Sequence, residues 1–96
     1  MIKGTTSCGF EFCIDPTALD DMRVVDAMSI AVDPNAKPSE RLAANAKATE
    51  LILGKHQKQQ LYDHIGKSNG GRVPVAAFET VLAEILSFSG KDAEKN

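Results

Sequence analysis

Aromatic residues are scarce in this chain. Its 96 residues include no tryptophan, one tyrosine and four phenylalanines. A hydrophobic core must therefore be built from leucine, isoleucine, valine and methionine, together with many alanines. The overall balance, 43% hydrophobic and 25% charged residues, is that of an ordinary globular domain. At this length we expect one domain over residues 1–90, followed by a charged tail at 91–96 that we predict to be flexible.

The sequence also has no cluster of basic residues and no long apolar run. Its formal net charge is −2, and its lysines and arginines are scattered. Since phosphate binding depends on basic groups gathered on one face, we expect no nucleic-acid partner. No stretch approaches the roughly 18 apolar residues that cross a bilayer, and residues 1–9 lack the apolar segment of a signal peptide. We therefore predict a cytoplasmic protein without a membrane segment.

Cysteine is nearly absent, with only Cys8 and Cys13 present. A secreted domain of this size usually carries more cysteines. The Cys-x4-Cys spacing does not make a zinc site by itself, because zinc needs four ligands, and His56 and His64 lie on a distant segment. We expect two free thiols and no bound metal; the sequence does not indicate what these thiols do.

What the sequence does contain is a strand pattern followed by helical patterns. Apolar and polar residues alternate over 10–14, a weaker strand precedes them at 2–6, and Gly9 lies in the connecting turn, so we predict a β-hairpin within residues 1–14. Asp15-Pro16 and Val73-Pro74 are typical helix starts, and Gly54, Gly66 and Gly90 are typical helix ends. The predicted helices cover residues 16–31, 38–53, 55–65 and 74–89.

These patterns predict a mainly helical α+β fold, in which the hairpin packs on about four helices arranged as a small bundle. In the first helix, Ala18, Met22 and Val25 share one face, with Val24 and Met28 beside it. The predicted core consists of Phe10, Phe12, Ile14, Met22, Val25, Leu53, Leu61, Phe78, Leu82 and Ile85.

No catalytic motif is recognisable. The sequence has no nucleophile elbow and no HExxH pair, and His56 and His64 are eight residues apart rather than the four of a helical metal pair. The glycine-rich stretch 66–73 lacks the phosphate-loop motif, and in an EF-hand register it supplies no carboxylate. We predict a turn between two packed helices there, and a protein that is not an enzyme and takes no cofactor. A helix-turn-helix is disfavoured, since this connection is long and the last helix has few basic residues.

Read together, several segments resemble the small tail assembly chaperones of phages and prophages of Gram-positive bacteria. The resemblance covers nearly the whole chain but includes no chemical motif. The loop at 68–70 departs from it, because Ser68, Asn69 and Gly70 stand where the family is more acidic. The matching segments are Ile2-Lys3-Gly4-Thr5-Thr6-Ser7, Phe10-Glu11-Phe12, Leu19-Asp20-Asp21, Leu51-Ile52-Leu53-Gly54, Gln57-Lys58, Leu61-Tyr62-Asp63-His64 and Gly71-Arg72-Val73-Pro74.

The resemblance implies a non-enzymatic role in the cytoplasm of the host cell. Proteins of this family bind the long helical tape measure protein and keep it soluble until the tail tube forms around it. The implied partners are therefore the tape measure and tail tube proteins, and a homo-oligomer is compatible with this role. The family also implies an extended form made by ribosomal slippage, for which Lys95-Asn96 could be encoded by a slippery A-AAA-AAC sequence. The binding face is not indicated.

Two other functions remain open at the level of sequence. One is a small regulatory adaptor, comparable to an antitoxin, which is also a protein-binding module. The other is a nucleic-acid-binding regulator. Genes for a major tail protein and a long helical tape measure protein on either side of this one would favour the chaperone.

Overall fold

A computed structural model describes residues 1–95, with side chains described as far as residue 88. The predicted hairpin and the mainly helical character are both confirmed. The hairpin is followed by a short 3-10 turn and three α-helices, one fewer than the four predicted. The elements are β1 (Ile2–Thr5), β2 (Glu11–Ile14), the 3-10 turn Pro16–Leu19, α1 (Met22–Ala31), α2 (Pro38–Lys67) and α3 (Val75–Lys95).

The hairpin is antiparallel, with Ile2 opposite Ile14 and Gly4 opposite Phe12. Its side chains alternate as the sequence predicts, so that Ile2, Phe12 and Ile14 are buried on one face. Gly9 closes the turn at a φ of 89°, a left-handed conformation that favours glycine. The hairpin therefore contributes one apolar face to the core.

The first predicted helix begins six residues later than the sequence indicated. Asp15 and Pro16 do start a helical turn, but it is a 3-10 turn that ends at Leu19. The α-helix begins at Met22, after Asp21, whose side chain accepts a hydrogen bond from the Arg23 amide. Two helix-starting signals lie close together here, and the second one begins α1.

Helix α2 joins the two helices predicted at 38–53 and 55–65. It spans Pro38–Lys67 but is interrupted at Gly54, where φ is 83° and ψ is 159°, which is not helical. Two helical segments therefore meet at a kink at Gly54, the residue at which the sequence predicted one helix to end. Helix α3 also extends past its predicted end at Gly90, to Lys95. The predicted flexible tail at 91–96 consists of residues whose side chains lie outside the described part of the chain, as does the whole of Asn96.

The core lies between the buried face of the hairpin and the three helices. Eight of the ten predicted core residues are buried there, but Met22 and Val25 are 68% and 47% exposed. Val24 and Ala27 are buried in their place. The prediction was wrong by about half a turn of α1, because either apolar stripe of this helix could have faced the core.

The side chain of Gln57 joins the hairpin to α2. Its amide oxygen accepts a hydrogen bond of 2.9 Å from the backbone N–H of Cys13, and its amide nitrogen donates one of 2.7 Å to the Cys13 carbonyl. The same nitrogen donates to the Leu53 carbonyl, one turn earlier. A side-chain amide thus takes the position of a neighbouring strand along β2.

Candidate protein-binding surface

The outer side of α1 carries an exposed row of apolar side chains, which we call the α1 outer stripe: Met22, Val25 and Val32. With Ser29 they follow i, i+3, i+7 and i+10 spacing, which places them along one side of the helix. Met22 is 68%, Val25 47% and Val32 72% exposed. The stripe is therefore apolar surface that the fold itself does not use.

This exposure follows from the way α1 packs. Val24 and Ala27 face the core and Met28 packs at its edge, so that α1 lies against α2 on that side. The α1 outer stripe lies on the other side of the helix, where no described element covers it. Scattered apolar residues are normal on a protein surface, but a row of them on one helix face marks a candidate interaction site.

The sequence around the α1 outer stripe is acidic. Asp20, Asp21, Asp26 and Asp33 lie within or beside α1, against a single base, Arg23. Arg23 pairs with Asp21, with its guanidinium 2.7 Å from the carboxylate, and this hydrogen bond lowers the pKa of Asp21. The Asp21 carboxylate is therefore ionised at neutral pH, and the local charge around the stripe is negative.

The tip of the hairpin contacts the second half of α2. The His64 ring Nε2 lies 2.9 Å from the Cys8 carbonyl oxygen, and the ring packs at 5.8 Å from the ring of Phe10. The Cys8 thiol lies 3.2 Å from the Thr6 hydroxyl. His64 and Cys8 are 56 residues apart, and nothing in the local sequence pattern indicates that they are in contact.

Cys8 and Cys13 are free thiols, as predicted. Among residues 1–88, no three side chains of the metal-binding types come together. His56 is exposed on α2. Of the cysteines and histidines, only Cys8 and His64 are joined by a described contact, at the hairpin tip.

The glycine-rich segment forms the predicted turn between two helices. Helix α2 extends to Lys67, and the Gly71 amide donates a 2.8 Å hydrogen bond back to the Gly66 carbonyl. The side-chain amide of Asn69 donates to the Ile65 carbonyl at 2.8 Å. These hydrogen bonds satisfy carbonyl groups at the end of α2 that have no partner within the helix, as is usual where a turn ends a helix.

Comparison with known protein families, with curated proteins and with solved structures found no match. None of the helices in the described part of the chain combines the length and the apolar character that a membrane span requires.

Proposed function

We propose that this chain is a non-enzymatic protein-binding module, and that its α1 outer stripe receives a helical segment of another protein. The observation that supports this is the exposure of Met22, Val25 and Val32 along one side of α1. Methionine suits such a surface because its flexible side chain adapts to the shape of a partner. An amphipathic helix docks by laying its apolar side chains against a surface of this kind.

The acidic surroundings of the stripe define the partner further. Carboxylates beside an apolar contact favour a partner whose apolar row is flanked by lysine or arginine, because like charges at the rim would oppose docking. We therefore propose a helix with an apolar row and basic flanks. The resemblance of this sequence to tail assembly chaperones leads us to propose the tape measure protein as its source, in the cytoplasm of a host cell.

The test is co-expression of this chain with a helical fragment of the tape measure protein from the same genome. We expect the soluble fraction of the fragment to rise several-fold when the chain is present. If the fragment aggregates to the same extent with and without the chain, the chaperone proposal is wrong.

A matched pair of variants locates the surface. Val25 and Val75 are both 47% exposed and both lie on helices, but only Val25 belongs to the α1 outer stripe. We expect Val25→Glu to abolish the gain in solubility and Val75→Glu to preserve it, because a carboxylate in the stripe removes apolar contact and is costly to bury. The opposite result would assign binding to the start of α3.

A further inference from the structure

The two edges of the hairpin differ in their backbone hydrogen bonding. In an antiparallel pair, successive residues of a strand direct their N–H and C=O groups alternately towards and away from the partner strand. The Thr6 amide donates to the Phe10 carbonyl at 2.9 Å, so this pair is bonded across the hairpin. The same parity makes Gly4 and Phe12 a bonded pair and directs the backbone groups of Lys3 and Thr5 outwards.

The outer edge of β2 is occupied at Cys13, although the outward groups of Glu11 bond to no described residue, whereas no described residue bonds to the outer edge of β1. Gln57 satisfies both outward groups of Cys13, as described above. On β1, the outward N–H and C=O groups of Lys3 and Thr5 bond to no described residue, and both residues are exposed. Unpaired groups along a strand edge form a template for another strand.

We propose that β1 pairs antiparallel with β1 of a second copy of this chain, so that two hairpins form one four-stranded sheet. The register that places Lys3 opposite Thr5 of the second copy uses all the outward groups. Roughly four hydrogen bonds then join the copies, and the two-fold axis passes between the two Gly4 residues. The register with Lys3 opposite Lys3 is disfavoured by like charge.

An exposed aromatic ring next to the same edge favours a second copy as the occupant. The Cδ1 atom of Phe88 lies 3.1 Å from the position that a Cβ atom on Gly4 would occupy. This ring packs edge-on against Phe12 at 5.6 Å and is 40% exposed. Because the two Gly4 residues face each other across the two-fold axis, the two Phe88 rings would lie near each other in this dimer. Their contact would add apolar surface to the hydrogen-bonded interface.

The assembly stops at two copies. Pairing uses the outward groups of β1, while on the opposite edge Gln57 occupies Cys13 and leaves only the outward groups of Glu11, which are too few for another strand to pair along β2. The edge is short, and the contact is smaller than the roughly 1,200–2,000 Å² of a standard interface. The dimer is therefore weak and forms only as the concentration rises.

Sedimentation velocity of the full chain from micromolar to millimolar concentration tests the proposal. We expect a monomer–dimer equilibrium. Thr5→Pro removes an outward N–H without breaking a bond of the hairpin, and should weaken dimerisation at least about tenfold. Thr5→Val is the matched control, since it keeps the N–H and should dimerise like the wild type.

Two results would overturn the proposal: a wild-type chain that remains monomeric at every concentration, or a folded Thr5→Pro variant that dimerises as the wild type does. Should Thr5→Pro fail to fold, hydrogen exchange of the wild type decides. Protection of the Lys3 and Thr5 amides that increases with concentration supports β1 pairing, and rapid exchange of both amides at all concentrations overturns it.

Discussion

At the scale of single residues, Gln57 has a role that its position in a polar helix did not indicate. Its side-chain amide is hydrogen-bonded to both backbone groups of Cys13. An amide can do this because it offers a donor and an acceptor with the spacing of a peptide group. This one side chain therefore fixes the edge of the hairpin against α2.

Replacing Gln57 with leucine should lower the free energy of unfolding by about 1–3 kcal/mol. The N–H and C=O of Cys13 would lose their partners while remaining partly buried, and such unsatisfied groups carry that cost. Chemical denaturation measures the change. Gln60→Leu is the control, because Gln60 is exposed on the same helix, and its effect should stay within about 0.5 kcal/mol. Equal losses in both variants would mean that the bridge to Cys13 contributes nothing.

Gly54 has a backbone conformation that side chains disfavour. At φ 83° and ψ 159° it lies in a region populated almost only by glycine. No neighbouring atom lies within 4 Å of the place where a Cβ would be. Any penalty for substitution therefore comes from the backbone and not from crowding.

We expect Gly54→Ala to destabilise the fold by about 1–3 kcal/mol, the cost of holding alanine in that conformation. Gly66→Ala in the same helix is the control. Its added methyl group would make ordinary contacts at 3.5 Å or more and no strained φ is involved, so it should be neutral or slightly stabilising. Thermal unfolding distinguishes them, and a Gly54→Ala variant as stable as the wild type would show that α2 tolerates a regular helix at this point.

Asp21 should make the stability of α1 depend on pH. Hydrogen bonds from Arg23 lower the pKa of Asp21 in the folded chain below its ordinary value of 3.8. A carboxyl group with a lowered folded-state pKa stabilises the fold above its unfolded pKa, and this contribution disappears as the pH falls through the folded value.

Accordingly, Asp21→Asn should be less stable than the wild type at pH 7, and the difference should shrink steadily below about pH 4. Urea unfolding at a series of pH values measures this. Asp26→Asn serves as the control because Asp26 is exposed on α1 and its side chain forms no hydrogen bond with a described residue. A difference between Asp21→Asn and the wild type that is constant with pH would contradict the assigned cause.

At the scale of elements, α3 and α1 show when the spacing of apolar residues is sufficient to predict which face of a helix is buried. Along α3, Phe78, Leu82 and Ile85 form a single strong apolar row, and all three are buried as predicted. Along α1, apolar residues occupy two sides, so periodicity allowed either to face the core. Packing against α2 selected Val24 and Ala27.

Truncating Leu82 to alanine should cost about 2–5 kcal/mol, because the side chain is 4% exposed and its removal leaves a cavity. That loss is a large part of the stability of a small domain. Val75→Ala in the same helix should change stability by no more than about 0.5 kcal/mol, since Val75 is half exposed. An unchanged melting temperature for Leu82→Ala would mean that α3 does not pack on the core through this residue.

At the scale of the whole molecule, the chain has a radius of gyration of 13.1 Å, which is close to the roughly 13 Å expected for a folded domain of this length. Its surface offers two contact regions of different chemistry. The α1 outer stripe is apolar with acidic surroundings, and the β1 edge offers backbone hydrogen bonds. The two proposals can be tested separately, because Val25→Glu affects only the first region and Thr5→Pro only the second.

We also expect no tight binding of calcium or ATP. The segment 66–73 supplies no carboxylate and lacks the lysine of a phosphate loop, and its backbone groups are used to end α2. Isothermal titration calorimetry should detect no micromolar affinity for either ligand. Heat of binding at that level would require a site that the described residues do not form.

The sequence by itself determined the features that depend on neighbouring residues. Alternation over 10–14 predicted β2, and the apolar row of α3 predicted its buried face. Gly54 and Gly66 were predicted as helix ends, and they lie at the kink of α2 and one residue before its last residue. Each of these depends on backbone preference or on the period of a single element. Such features can be predicted from a few neighbouring residues, because no distant contact is needed to produce them.

Only the tertiary structure decided which side of α1 faces the core, and that Gln57 bonds to Cys13 and His64 reaches Cys8. These contacts join residues 44 and 56 positions apart, and their energy exists only once the hairpin lies on α2. The free energy that orients α1 likewise comes from the surface it meets, so its sequence could not specify the face. For the same physical reason, the exposed α1 outer stripe became visible only in the folded chain.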